Sequence, residues 1–385
     1  MTRRTIAVLG CLAVAVVPSS VAVGLAASAS AQEKSYPMET VVKGGIRTIT
    51  NPEYPRDGRF KAKLTEEISC GGEGAPDAAI LNVPISLVVD EEGTLYIFDL
   101  RDVNIKVYGP DGSYLRTMGR RGQGPGEFGG LAVPALMSDG RLAVLDAGQH
   151  RVFFLKTGGE YISGFPVEGY YSNLAVDGTD RIYLGKWAAA KEPDTLGSDF
   201  QEIPYITSVY RTDASGKEFI HLTDFLGETL AMKSMGDGAV MSTGGLYTIQ
   251  WTIDPGGRIY GGYNEDYRLG VFGPEGKPEF VFGRRFTPLK NPMYRGQAGA
   301  RKMMPAFRAV VLDEERNVWV ELVQAADAEG FLYDVFSPEG SYLRQVASEF
   351  RITLFKKGKV YGIYRTRDDI PSVKRFAMEL VPAEK

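Results

Sequence analysis

The hexapeptide VYGPDG at residues 107–112 returns as VFGPEG at 271–276 and as VFSPEG at 335–340, and the first and third copies are both followed by SYLR. Recurrence at such distances marks a repeat architecture. Nothing else in the chain limits the fold as strongly, because one copy cannot bury its own apolar face and must stack on neighbours to make a core.

Each repeat extends upstream of the hexapeptide. Residues 86–89 and 95–98 are apolar, β-branched and aromatic runs separated by a turn at 90–93, with Gly93 where a positive φ is needed. The pattern breaks over 99–104. Residues 105–108 form a third run, Pro110 takes the favoured turn position for proline, and 114–118 form a fourth. The same order returns around Asp139 and Gly140, Asp177 and Gly178, Asp254 with Gly256 and Gly257, Asp313 with Asn317, and finally Gly358. Six units of four strands predict an all-β fold, a six-bladed β-propeller of four-stranded antiparallel blades. Some turn spacings exceed the ~40–50 residues that one blade needs, so those units carry insertions.

A gap-free match of 69–84 to 119–134 locates the ring's closure. Gly72, Gly74, Leu81, Val83 and Pro84 align with Gly122, Gly124, Leu131, Val133 and Pro134. A fourth strand precedes the later copy, so residues 63–68 are also predicted to be a fourth strand. With no blade before them, they must complete the last one. An N-terminal strand of this kind closes the ring and removes two exposed sheet edges. A further edge strand is expected over 41–49.

Residues 1–31 lie outside that domain. Arg3 and Arg4 precede an apolar stretch over 6–27, and Ala29, Ser30 and Ala31 end it, which is the pattern of a signal peptide cleaved before Gln32; Pro18 and its neighbouring serines weaken a transmembrane reading. The expected mature protein is therefore exported, periplasmic or extracellular, without a membrane span, and comprises one domain over 32–385 that acts as a monomer. Cleavage leaves Cys70 as its single cysteine, so no intrachain disulfide forms. Loss of Arg3 and Arg4 takes the formal charge from −4 to −6, which argues against nucleic acid as a partner.

In a four-stranded antiparallel blade the first and third turns share one end, and all other connections share the opposite end. Every long connection falls at that second end, where binding and catalysis on a rigid scaffold usually reside. There, residues 283–308 carry Arg284, Arg285, Lys290, Arg295, Arg301, Lys302 and Arg308 with no acidic residue, and Arg120 and Arg121 join them. Guanidinium forks grip carboxylate, sulfate or phosphate, so this group predicts an anion-binding mouth for an extracytoplasmic glycan, peptide or protein. The competing reading is a solvated loop whose charges meet Asp194, Asp199, Asp368 and Asp369, or a short helix over 293–304. Trp187, with Tyr170, Tyr171, Tyr205, Tyr263, Tyr267 and Tyr294, offers aromatic faces for stacking in or beside the same connections.

Catalytic patterns are thin. Two histidines, His150 and His221, exclude a histidine-rich metal site, and there is no Gly-x-Ser-x-Gly elbow or Ser-x-x-Lys pair. The glycines and arginines of GRRGQGPGEF, 119–128, lead into a strand rather than a helix, so they serve a sharp crossing between blades and not a phosphate loop. No cofactor is expected. The alternative to a binding module is a hydrolase or lactonase with a divalent cation such as Ca²⁺ at the channel, held by Asp99 and Asp146; a third class is a structural or sensor subunit.

The Asp-x-x-Gly turns, second strands ending in Asp99 or Asp146, the VYGPDG-like third strand and the GRRGQGPGEF crossing together resemble the NHL-type six-bladed β-propeller proteins secreted by bacteria, over residues 38–381. The ending YGIYRTRDDIPSVKRFAMEL is similar to the last blade of that group. The resemblance implies the fold but little about activity, because such propellers include peptide, glycan and protein binders, sensor parts and a few metal-dependent enzymes. The metal-binding histidines of the amidating-lyase propellers have no counterpart here.

Overall fold

A computed structural model describes residues 37–191, 196–236, 239–243, 249–296, 301–366 and 369–383; the expected signal peptide, 1–31, lies outside them. The described chain is built of strands, with one short 3₁₀ turn at Asp77–Ala79 and no helix long and apolar enough to cross a membrane.

The strands fall into six consecutive antiparallel sets. The first is Pro84–Val89, Leu95–Asp99, Asn104–Tyr108 and Tyr114–Met118. The second is Ala132–Leu136, Leu142–Asp146, Arg151–Leu155 and Tyr161–Pro166. Tyr170–Val176, Ile182–Ala189, Gln201–Thr212 and Ile220–Gly236 form the third, with Ala239–Thr243 on its edge. Ile249–Ile253, Ile259–Tyr263, Arg268–Phe272 and Pro278–Arg284 form the fourth. The fifth is Phe307–Leu312, Val318–Leu322, Phe331–Phe336 and Tyr342–Ser348. In the sixth, Leu354–Lys356, Lys359–Arg365 and Pro371–Pro382 are followed in the sheet by Arg59–Cys70 from near the chain's start, antiparallel to Pro371–Pro382, with Lys63 opposite Glu379 and Ile68 opposite Arg375. The first three residues of Arg59–Cys70 also pair, in parallel, with Tyr342–Ser348, joining the last two sets into one eight-stranded sheet.

Packing explains why the middle strands are apolar throughout. Leu95–Asp99, Leu142–Asp146 and Val318–Leu322 are buried at every position because neighbours cover both faces. Six apolar cores each join two sets in succession. Phe98, Val107 and Met118 of the first set, for example, meet Leu142, Val144 and Phe153 of the second. The series continues through the third, fourth, fifth and sixth sets, and Ile68, Cys70, Tyr361 and Val373 of the sixth pack on Leu87, Leu95 and Ile97 of the first. At roughly 1.5–3 kcal/mol for each large apolar side chain fully buried, these cores dominate the stability. Surface ion pairs between turns, such as Arg211–Glu275, are screened by solvent and contribute little.

The recurrent aspartate of the first turn has a local cause. Asp90 accepts the N–H groups of Glu92 and Thr94 and the hydroxyl of Tyr96; Asp177 likewise takes Thr179, Arg181 and Tyr183, and Asp313 takes Asn317 and the indole N–H of Trp319. An aromatic donor six residues after the aspartate thus locks the turn onto its strand. The glycine ending the hexapeptide is required by space: at Gly276, with φ +78°, a Cβ would lie 2.1 Å from the Leu222 carbonyl oxygen of the neighbouring set.

Three expectations need correction. The strand expected over 41–49 is a hairpin, Glu39–Lys43 and Ile46–Asn51, turning on Gly44 and Gly45, and it docks in parallel on Pro278–Arg284 of the fourth set. Buried Asn51 fastens it by donating to the Gly283 and Gly340 carbonyls and accepting from the Tyr342 N–H. Second, much of the third set's expected long connections is strand. Ile220–Gly236 and Gln201–Thr212 run on as a projecting ribbon because Ile203, Tyr205, Leu230 and Met232 form a small core of their own. Third, the described part of 293–304 holds a turn and an isolated Lys290–Met303 bridge instead of a helix.

Candidate functional site

The first strands of the six sets lie next to one another in cyclic order, the last beside the first, and so line the central channel. Their sequences, PISLVV, AVPAL, YYSNLAV, IQWTI, FRAVVL and LFK, contain no carboxylate. They carry two cations. Lys356 is at the tight-turn end, paired with Glu91. Arg308 is at the other end, where the long connections enter.

Three of these strands share a device at that entrance. The pairing register slips between Pro84 and Ser86 in the first set, between Tyr171 and Asn173 in the third, and between Phe307 and Ala309 in the fifth. The extra residues, Ile85, Ser172 and Arg308, are exposed, each between a buried residue and a half-buried one. A bulge of this kind re-aims a side chain at a rim. Alternate sets therefore each present one residue at the channel mouth, and one of the three is a guanidinium.

The segment leading to Arg308 is built beside it. Asn291 donates its side-chain N–H to the Arg301 carbonyl and its backbone N–H to the Lys302 carbonyl; Met304 bonds Leu289, and Ala306 bonds Asn264. This short ladder holds half-buried Arg301 and exposed Lys302 within a few residues of Arg308.

Arg284, Arg285, Arg120 and Arg121 lie elsewhere. Arg284 leaves the group: its side chain is 8% exposed and its Nε is 2.5 Å from Asp334 Oδ2 in the core between the fourth and fifth sets. Arg285 reaches Glu39 on the hairpin at 2.5 Å. Arg120 and Arg121 are exposed on the crossing from the first set to the second, where Arg120 pairs with Glu127 at 2.8 Å. The Gly124 N–H, followed by the Arg120 guanidinium, holds the Glu127 carboxyl below its ordinary range. Gln149 and Arg151 clasp the crossing through its carbonyls, in keeping with a sharp turn between sets.

Trp187 sits half-buried in a strand. It stacks on Tyr205 with ring centres 4.1 Å apart and meets exposed Tyr170 edge-on at 6.1 Å. Tyr171, Tyr205 and Tyr267 are buried and drop out as ligand faces; the Tyr263 side chain lies outside the description, as do Asp194 and Asp368. Asp369 pairs with Arg365 on its own turn.

Asp99 and Asp146 do not fit a divalent cation. Both are fully buried, and the oxygens of Asp99 accept the backbone N–H groups of Asn82, Val83, Arg101 and Asp102 at 2.6–3.2 Å. Asp146 accepts from the N–H groups of Gly129 and Gln149. Positive N–H dipoles already occupy the lone pairs a metal needs, and among the described residues no three histidine, cysteine or acidic side chains converge as a ligand group. The two aspartates instead tie the crossing before each set to its second strand. Replacing Asp99 with Ala is expected to lower stability by about 2–4 kcal/mol, because several buried N–H groups lose their acceptor together. Urea unfolding would measure that loss. EDTA should leave the unfolding midpoint of the unaltered protein where it is, and a calcium-dependent midpoint would contradict this assignment.

Other reactive groups are similarly engaged. Cys70 is fully buried, and burial pushes its thiol up to about 12, keeping it protonated and non-nucleophilic. His150 Nδ1 contacts the Gly169 carbonyl, and His221 Nε2 contacts Asp224 at 2.8 Å. Buried ionic sites that escaped the sequence reading include Asp334 with Arg284, Glu321, which is 3% exposed and 2.8 Å from Arg351, and Lys106, whose side chain is 5% exposed and 2.8 Å from Asp102. The signal was present in part, since Asp334 and Lys106 both precede a copy of the hexapeptide, inside strands buried on both faces where a charge must find a partner.

Residues 78–180 match a family model described as a six-bladed β-propeller. In fold the chain is similar to a Bacteroides fragilis protein described as a candidate exported protein, at TM-score 0.52 and 11% identity over 84% of this chain and 99% of that one. It is equally similar to a member of the DUF4221 family from Bacteroides vulgatus, at TM-score 0.53 and 11% identity over 84% and 99%. This fold is a β-propeller. No curated protein matches the chain. At such identities the likeness carries the propeller architecture and no activity.

Proposed function

We propose that the chain is an exported, non-catalytic binding module: one six-bladed propeller, closed by Arg59–Cys70, that captures an anionic glycan, peptide or envelope component at its long-connection end. The observation that carries this reading is Arg308, the one charge that the first strands raise at the channel mouth, on a bulge and beside Arg301 and Lys302. No carboxylate stands on the first strands that line the channel, so Arg308 with Arg301 and Lys302 gives its side of the mouth a local positive charge that attracts and orients anions. Exposed Tyr170, edge-on to Trp187, offers a ring face near the same rim, which favours a sugar acid. Export is supported by the pattern of residues 1–31, and a propeller neighbour is described as a candidate exported protein.

A panel of uronate- and sulfate-bearing oligosaccharides, their neutral counterparts and acidic peptides, titrated by calorimetry, tests the reading. Binding of the acidic members should weaken as salt rises. Changing Arg301, Lys302 and Arg308 together to Ser should weaken it tenfold or more, since each charge-assisted hydrogen bond is worth about 1.5–3 kcal/mol. Equal affinity in the variant, or equal affinity for neutral sugars, would refute the assignment.

A further inference from the structure

The strand Glu39–Lys43 ends the six-stranded sheet and is exposed at all five positions, with Val41 at 62% and Val42 at 67%. Among the described residues no strand pairs with its outer side, and an open, β-branched edge is a template for another strand. Which groups it offers follows from its hairpin. Lys43 faces Ile46 across a two-residue turn, Gly44 at φ +59° and Gly45 at φ +79°, and the residues flanking such a turn form a hydrogen-bonded pair. Alternation then commits the N–H and C=O of residues 39, 41 and 43 to the inner strand, and turns those of Thr40 and Val42 to the open edge.

We propose that Glu39–Lys43 pairs antiparallel with the same strand of a second copy, about a twofold axis through Val41. Outward-facing groups must meet outward-facing groups, so the axis passes through residue 40, 41 or 42. An axis through 40 sets Glu39 against a valine and leaves Lys43 beyond the strand; an axis through 42 sets Lys43 against a valine and Thr40 against the turn. Only the axis through Val41 uses all five residues. Thr40 and Val42 exchange backbone hydrogen bonds with Val42 of the partner subunit and Thr40 of the partner subunit, Val41 faces the partner's Val41, and Glu39 faces the partner's Lys43 twice over. Opposite charges directly across a ladder stabilise it, and the valine pair closes its centre. Glu39 already accepts from Arg285 of its own chain, and a carboxylate has lone pairs for a second donor. Five residues make a small interface, so the dimer is weak and reversible, in departure from the monomer expected from sequence.

Cysteine placed singly at 40, 41 or 42 of the exported protein reads the register. The central pair is a non-hydrogen-bonded one with Cα atoms about 4.5 Å apart, within disulfide reach. Under a mild oxidant Val41→Cys should form covalent dimer at least tenfold faster than Thr40→Cys or Val42→Cys, and the unaltered protein, whose Cys70 is buried, should form none. Adding Val42→Pro to Val41→Cys removes an outward N–H without touching the hairpin's own bonds, and should abolish the cross-link while thermal unfolding stays unchanged. Faster cross-linking at 40 or 42, equal rates at all three, or no cross-link at the highest soluble concentration would overturn the proposal.

Discussion

Arg284→Met is expected to destabilise the protein by about 3–5 kcal/mol, because it strands a carboxylate that has no route to water. Asp334 is fully buried, and its two oxygens take four donors: Arg284 Nε and the Tyr267 hydroxyl on Oδ2, each at 2.5 Å, and the Tyr342 hydroxyl and Gln345 amide on Oδ1 at 2.5 and 3.0 Å. The guanidinium in turn lies over the rings of Tyr267 and Tyr342, at 4.9 and 5.6 Å. Methionine keeps much of that packing and removes only the charge and the donors, so the loss isolates the electrostatics. Removing both charges, as Arg284→Met with Asp334→Asn, should recover much of the difference, since no ion is then left uncompensated. Urea denaturation of the single and double variants decides the matter. A loss below about 1 kcal/mol for the single variant would mean that water reaches Asp334 and that the pair is not a core element.

Deleting the chain through Cys70 is expected to abolish cooperative folding altogether, while deletion through Lys43 leaves a folded protein. Arg59–Cys70 supplies Ala62 to the core between the fifth and sixth sets and Ile68 and Cys70 to the core between the sixth and first. Losing it unpairs Pro371–Pro382 and opens two cores at once, whereas Glu39–Lys43 supplies neither. The same register offers a rescue. Phe60 lies opposite Pro382, and the Ala383 N–H bonds the Arg59 carbonyl, so a short turn is enough to join Pro382 to Arg59. A permuted chain that begins at Gly71 and carries 59–70 behind Pro382 should therefore fold with a sharp thermal transition. If the deletion through Cys70 folds as sharply, the N-terminal strand does not close the propeller.

Much of this architecture is legible because its turns depend on residue types with few substitutes. The Asp-to-aromatic spacing of Asp90 and Tyr96, Asp177 and Tyr183, and Asp313 and Trp319 is written in the chain, as is the glycine of each hexapeptide. The strand 114–118 is met residue for residue by Tyr114–Met118, and the offset match of 69–84 to 119–134 places 63–68 opposite Pro371–Pro382. What resisted reading depends on contacts far apart in sequence. The hairpin's docking on the fourth set rests on Asn51 meeting Gly283 and Gly340, more than 230 residues away. The third set's ribbon contains glycine and polar residues that suggest a loop, yet Leu230 and Met232 are held by Ile203 and Tyr205. Arg284 looks like its neighbours in a run of cations. Only Asp334, fifty residues later, separates it from Arg301, Lys302 and Arg308. The run of cations over 283–308 is plain in the chain but the bulge at Arg308 is not, because a register slip that turns one residue outward leaves no composition of its own.

Hydrogen exchange of residues 32–385, with and without an acidic oligosaccharide that they bind, locates the ligand on the propeller directly. The account predicts slowed exchange over 301–312 and in the first strands' entrances near Ile85 and Ser172, with the tight turns at 90–94, 177–181 and 313–317 unchanged. Protection confined to those tight turns, or spread evenly over both ends, would contradict a binding face at the mouth where Arg308 stands.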